Sequence, residues 1–229
     1  MGRRERLGQP VRNPDEIALA LAIAVGYLAG SIPSGYWLVR LFKHEDIRKH
    51  GSGNIGASNV WRTYGRWYGV PVVLLDTAKG FVPALVFSLT VSPLAGVLAG
   101  AGAMLGHARP LFLRFERGGK MVATTGGAFL GIAPLVAAVG AVVWLVVFLV
   151  FRYASLASIA GAVSLPIAAV LLGSSWAVTM FAAFAAAAVV FLHRANVKRL
   201  LRGEENRFTL LRRKAGREPR TRRPDVRTP

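Results

Sequence analysis

The sequence has no cysteine, and it sets only 11 Asp/Glu against 29 Lys/Arg in 229 residues. The first absence excludes disulfides, thiolate nucleophiles and cysteine metal sites, and says nothing about compartment. Charge itself is missing over long stretches. No ionisable residue of either sign occurs in the 31 residues from Met121 to Phe151 or in the 39 from Ala154 to Leu192. Both runs exceed the roughly 20 apolar residues that cross a bilayer. Histidine is scarce, with four in all, and neither His107 nor His193 has a carboxylate or second histidine at ligand spacing. No metal or other cofactor is therefore expected. What is present is apolar: 53% of residues are hydrophobic and the mean hydropathy is +0.43. An ordinary soluble domain is excluded, and an all-α integral membrane protein is expected.

The chain divides into a polar N-terminal tail (1–16), a polytopic membrane domain (17–206) and a basic, disordered cytoplasmic tail (207–229). Arg3 and Arg4 ahead of an apolar run suggest a twin-arginine export signal, but the run extends to Phe42, too long for one. Residues 17–42 form the first expected span. Residues 70–106, 121–151 and 154–192 each hold two, broken at Ser92-Pro93, at Gly131 to Pro134 and at Gly173-Ser174-Ser175. The middle pair is short enough that one member is half-inserted.

The net charge of +18 is concentrated in loops 43–66 and 107–120, at Arg152, and in the segment from Arg194 onward, which holds 13 Lys/Arg and 4 Asp/Glu. Lys/Arg excess marks cytoplasmic loops. One span followed by three pairs gives about seven transmembrane helices, with interfacial half-helices on the cytoplasmic side and the C-terminus inside. The four N-terminal arginines argue against the external N-terminus that this count requires. An anionic leaflet explains the basic tail without nucleic acid, for which no folded motif is present.

Polar groups cluster on that same side. Gly51-Ser52-Gly53-Asn54 reads as a turn with free N–H groups, and Ser52 as the N-cap of a short helix. Asn54, Ser58 and Arg62 then follow at i, i+4 and i+8. Free N–H groups, a helix start and a guanidinium suit an anion; the competing reading is a glycine-rich surface turn before an interfacial helix. Gly118-Gly119-Lys120 suggests a second backbone nest, though it is not a Walker A loop, because Met121 stands where Ser or Thr is required. His193 and Asn196, three apart, end the last span. Asp76 and Lys79 are an opposite-charge pair three residues apart inside a span, either functional or an ion pair that locks helices together. These groups together favour a substrate with an anionic head and an apolar tail. An anion transporter is the rival, but it needs polar groups at mid-depth, where residues from Met121 onward have no charge.

The ordered motifs carry a specific resemblance. Gly30-Ser31-Ile32-Pro33-Ser34, Asp46-Ile47-Arg48 and residues 51–62 (GSGNIGASNVWR) are followed by Leu75-Asp76-Thr77-Ala78-Lys79-Gly80. Then come Gly106-His107-Ala108-Arg109-Pro110, residues 118–124 (GGKMVAT) and residues 193–201 (HRANVKRLL). Over residues 17–206 this order resembles the bacterial acyl-phosphate:glycerol-3-phosphate acyltransferase family, the PlsY type. The resemblance implies a seven-helix fold and transfer of an acyl group from acyl phosphate to the 1-hydroxyl of glycerol 3-phosphate. It further implies a bacterial plasma membrane with a cytoplasm-facing site, and a functional link to the enzyme that forms the acyl phosphate.

Matched residue by residue, Ser52, Arg62, Lys120, His193 and Asn196 are the expected catalytic residues. Gly51, Gly53, Asn54, Ser58, Asn59, Gly118 and Gly119 are the expected substrate-binding ones. Arg62 and Lys120 would hold phosphate, Ser52 and Ser58 would complete those shells, Asn54 and Asn59 would orient substrate oxygens, and His193 and Asn196 would position the acceptor. Four departures stand out: Ser58 for the usual Thr, Met121 for the usual Gly, Glu116 as an added residue, and Ala195 for the usual carboxylate. The last three leave a homologue with altered or lost activity as the alternative.

Overall fold

A computed structural model describes residues 14–208; most of both expected tails lies outside the described residues. The described chain is helical: α1 (Pro14–Gly30), α2 (Ser34–Lys43), α3 (Ala57–Tyr64), α4 (Arg66–Thr90), α5 (Pro93–Ala108), α6 (Val122–Ile132), α7 (Pro134–Phe151), α8 (Ala154–Leu171), α9 (Trp176–Leu192) and α10 (Arg194–Leu201). The breaks fall where the sequence places them. Pro93 and Pro134 open α5 and α7 at first-turn positions, where a missing N–H costs nothing, and the Ser92 hydroxyl accepts the Ala95 N–H at 3.1 Å.

By length and hydropathy, four helical stretches are long enough to cross a bilayer: 15–43, 66–90, 134–151 and 154–171. A fifth is the pair α9 and α10, bent by 58° at His193. The expected spans at 93–106 and 121–131 are shorter, because α5 has 16 residues and α6 only 11. That places α6 as the half-length member of its pair.

Small residues set the packing. Cβ atoms added to Gly26 and Gly30 would lie 2.0 Å from the Ala99 and Ala103 carbonyl oxygens, so α1 and α5 touch backbone to backbone. The pairing order shows that they run parallel, α1 starting at the end of the bundle opposite the basic loops. α4 packs on α6, and α7 and α8 form an antiparallel hairpin. One core lies between α5, α6 and α9, where Phe129 stacks on Phe181 with centroids 4.9 Å apart. A second core, including Ile47, Ile55, Val60 and Leu113, sits beneath the basic loops and anchors them to α2 and α4.

The buried pair Asp76–Lys79 closes at 2.8 Å, and Lys79 Nζ also donates to the Ile32 carbonyl at 2.9 Å. That carbonyl belongs to the break between α1 and α2, where Pro33 has no N–H. The pair therefore pins α4 to the break in the first span, as a locking ion pair does.

Candidate functional site

A cavity of 540 Å³ opens where the basic loops meet the helix ends. Eight of the twelve expected site residues line it: Ser52, Asn54, Ser58, Asn59, Arg62, Lys120, His193 and Asn196. They come from three separate stretches of chain, 52–62, Lys120 and 193–196. The ends are tied together by the Phe208 N–H bond to the Arg152 carbonyl (2.7 Å), by ring contacts of Phe208 with Trp61 and Phe148, and by an ion pair of Arg48 with Glu116. Glu116 thus joins two loops, next to left-handed Arg114 and Phe115 (φ 53° and 60°).

The local structure corrects the sequence reading at the first motif. Helix α3 starts at Ala57 with Gly56 as its cap, so Ser52 is no N-cap and Asn54 lies outside the helix. Ser52 instead donates its N–H to Asn59 Oδ1 (2.9 Å), and Asn59 Nδ2 donates to the His50 and Asn54 carbonyls (3.0 and 2.8 Å). Asn54 Oδ1 accepts the Gly56 N–H at 2.8 Å, and its Nδ2 donates to the Gly118 carbonyl at 3.2 Å. Both amides brace loops, which is not the substrate-orienting work expected of them. Anion-binding capacity at this motif falls to the first-turn N–H groups of α3 and to Arg62, exposed to the cavity with no hydrogen-bonding acceptor among the described residues.

The second motif also differs. Gly118 and Gly119 donate their N–H groups to the Ala108 and His107 carbonyls at 2.9 and 3.0 Å, so these two form no nest for an oxyanion. None of Gly51, Gly53, Gly118 and Gly119 lines the cavity. The glycine pair serves close approach: a Cβ on Gly119 would meet the His107 ring at 1.9 Å, and one on Gly118 the His107 carbonyl oxygen at 2.1 Å. This contact seats Lys120 at the cavity edge. Met121, at φ 67°, caps α6 with its side chain buried in the core, away from the cavity. The left-handed backbone explains why glycine suits this position.

Lys120 Nζ donates to Asn196 Oδ1, and Asn196 Nδ2 donates to Glu205 Oε1 at 2.7 Å. Glu205 also accepts from Ser155 Oγ and Arg199 Nε, both at 2.7 Å. Burial opposes the charge on this carboxylate, but the hydrogen bonds from Asn196, Ser155 and Arg199 outweigh it and hold its pKa below the ordinary value. For Lys120, burial pushes the ammonium pKa down to about 8; Glu205 opposes the shift, and Arg199, Arg117 and Arg62 add to it.

His193 sits at the bend between α9 and α10, its Nδ1 2.8 Å from the Val189 carbonyl. A carbonyl only accepts, so Nδ1 carries the proton, and Nε2 is the unprotonated nitrogen of the neutral ring. Sequence reasoning missed Glu205 and Ser155, which also line the cavity, as do Asp76 of the opposite-charge pair and His107 of the 106–110 motif. Glu205 had one signal: it belongs to the acidic pair Glu204-Glu205 in a mainly basic segment, nine positions after Asn196.

Away from the cations the cavity is walled by apolar and small residues of α6, α7 and α8, among them Leu130, Ala138, Gly161 and Leu165. One hollow thus joins a cationic end to an apolar arm.

The glycerol-3-phosphate acyltransferase family matches residues 20–203. The glycerol-3-phosphate acyltransferase of Desulforudis audaxviator (strain MP104C) is 46% identical over 193 residues, covering 84% of this chain and 97% of that protein. The protein of the same name from Listeria monocytogenes serovar 1/2a is 42% identical over 192 residues, covering 82% and 96%. A crystal structure of PlsY (YgiH), an integral membrane glycerol 3-phosphate acyltransferase in its glycerol 3-phosphate form, matches with a TM-score of 0.80 at 39% identity, over 84% of this chain and 96% of that one. Its lysophosphatidic acid form matches with a TM-score of 0.78 at 38% identity, over the same shares of the two chains.

Proposed function

This chain belongs to the glycerol-3-phosphate acyltransferase family, and we propose that it transfers an acyl group from acyl phosphate to the 1-hydroxyl of glycerol 3-phosphate. The products are 1-acylglycerol 3-phosphate and inorganic phosphate, a step of phospholipid synthesis. The observation that carries this reading is the single cavity with a cationic end and an apolar arm, a shape suited to an anionic head on a long tail.

An acyl phosphate is a mixed anhydride with a good leaving group, so no enzyme nucleophile is needed. The glycerol 1-oxygen attacks the acyl carbon, the new ester C–O bond forms, and the bond from that carbon to the phosphate oxygen breaks. The hydroxyl proton has two acceptors, the departing phosphate and Nε2 of neutral His193. The protein's task is to hold two anions together and to aim the hydroxyl. Arg62 and Lys120 supply the positive charge, with α3 N–H groups and the Ser52 and Ser58 hydroxyls beside them. His193 and Asn196 position the acceptor, and Asn54 and Asn59 hold the first loop in shape.

The basic end faces the cytoplasm of a bacterial plasma membrane, as its Lys/Arg excess favours. Seven crossings, with α6 the half-length one, complete the topology. The donor comes from an enzyme that forms acyl phosphates.

The test is donor choice. Purified protein with glycerol 3-phosphate should form lysophosphatidate from palmitoyl phosphate and not from palmitoyl-CoA or palmitoyl-acyl-carrier protein. Comparable rates with all three donors would overturn the assignment of the donor.

A further inference from the structure

Gly126 lies on α6, one turn beyond Val122, and faces the apolar arm. A Cβ built there meets nothing within 4 Å. Its neighbour Gly127 is the opposite case, since a Cβ there would lie 2.0 Å from the Thr77 carbonyl oxygen. Gly127 is small because α4 must approach; no such neighbour stands over Gly126. Its missing side chain leaves free volume inside the cavity wall.

Facing α6 across the arm is the α7–α8 hairpin. Its two helices touch at Gly140 and Gly161, where a Cβ on Gly161 would be 3.0 Å from the Gly140 carbonyl oxygen. Trp144 Nε1 donates to Ser158 Oγ at 3.3 Å just below that contact. This wall is close-packed and cannot retreat. Free space for a side chain in this part of the lining is therefore offered by α6 at Gly126.

Depth follows from helix geometry. Ser155, at the polar end, and Leu165, in the far wall, are ten residues apart on α8, about 15 Å at 1.5 Å per residue. Gly126 is four residues beyond Val122, about 6 Å into the arm. With C–C bonds of ~1.5 Å at tetrahedral angles, an extended chain advances about 1.25 Å per carbon. Counted from the level of Val122, next to the Lys120 loop, Gly126 is about five chain carbons further into the arm.

We propose that Gly126 is a specificity-determining residue: its open side-chain position is the passage through which long acyl chains reach the far part of the arm, while short chains end before it. The proposal deepens the acyltransferase assignment and rests on it. The occupant is the acyl chain because the arm is apolar and continuous with the cationic end that receives the phosphate.

The experiment compares Gly126→Ala, Gly126→Leu and Gly126→Phe with the wild type. Each is assayed for turnover of palmitoyl phosphate and butyryl phosphate with glycerol 3-phosphate. The palmitoyl-to-butyryl ratio of kcat/KM should fall with side-chain size, by at least tenfold for Gly126→Leu, while butyryl transfer stays within about threefold of wild type. An unchanged ratio, or equal loss with both donors, overturns the proposal. A second arm measures affinity for 1-palmitoyl- and 1-butyryl-glycerol 3-phosphate, the products. If the wild type uses no acyl phosphate, the donor assignment falls, and the affinity ratio of the Leu variant still decides the role of Gly126. Gly126→Ala guards against misfolding, since alanine favours a helix over glycine and has open space here.

Discussion

The Lys120 ammonium, in the loop before α6, donates to the side-chain oxygen of Asn196, 76 positions away in the chain on α10. Glu205 holds the other end of that amide. Lysine is flexible, and a phosphate-binding lysine gains from being held before substrate arrives. Asn196→Asp would put one carboxylate between Lys120 and Glu205, losing the donor to Glu205 and setting two like charges side by side. It should raise the KM for glycerol 3-phosphate roughly 10- to 100-fold, in line with about 1.5–3 kcal/mol for a hydrogen bond to a charged group. Steady-state kinetics at varied glycerol 3-phosphate checks this, and an unchanged KM would remove Asn196 from the site.

Burial brings the Lys120 pKa down to about 8, so its charge is present below that pH and lost above it. A phosphate substrate binds the charged form. The pH profile of kcat/KM for glycerol 3-phosphate, which reports the free enzyme, should therefore fall above about pH 8. In Lys120→Arg the falling limb should vanish from the accessible range, because a guanidinium stays charged. A limb at the same pH in both proteins would assign it to another group.

Arg62 offers the cavity a planar fork that no protein acceptor engages among the described residues. Arg62→Lys keeps the charge and loses the bidentate geometry. Activity should drop about 100-fold, comparable to the loss of one transition-state donor. Insertion and purified yield should be normal. Full activity in this variant would make the residue merely interfacial.

Asp76 and Lys79 hold the break of the first span through the Ile32 carbonyl. Removing one partner leaves a buried charge alone, at a cost of about 3–5 kcal/mol. Asp76→Ala should lower the yield of folded protein in detergent, and Asp76→Ala/Lys79→Ala should recover part of it. Recovery stays partial because the Ile32 carbonyl then loses its donor. Size-exclusion yield and thermal melting measure this. Normal yield without catalysis in both variants would instead place the pair in the chemistry.

Much of the architecture is legible in the sequence because it depends on local composition. Charge-free runs, Pro93 and Pro134 at helix starts and the Gly173-Ser174-Ser175 turn mark the helices and their ends, and basic loops mark one end of the bundle. The order of the motifs carries the family. Arg62, Lys120, His193 and Asn196 are identifiable from those motifs, since each is a charged or polar residue beside an apolar run.

What the tertiary structure alone decided is which polar groups are free. Asn54, Asn59, Gly118 and Gly119 look like ligand-binding residues by type. Yet their amides and N–H groups are taken by the His50, Asn54, Gly118, Ala108 and His107 carbonyls and by the N–H groups of Ser52 and Gly56. A hydrogen bond between residues 54 and 118 leaves no periodic trace in either segment, so no local pattern can reveal that a donor is already used. The same holds for Glu205, which the sequence counts as one charge in a basic segment. Folding buries it against Ser155, Asn196 and Arg199, and there its charge supports Lys120 through Asn196. Local sequence sets where a helix begins and ends, because backbone preference and hydropathy act over a few residues. The pairing of donors with acceptors is set by packing between distant segments, and only the folded chain contains that information.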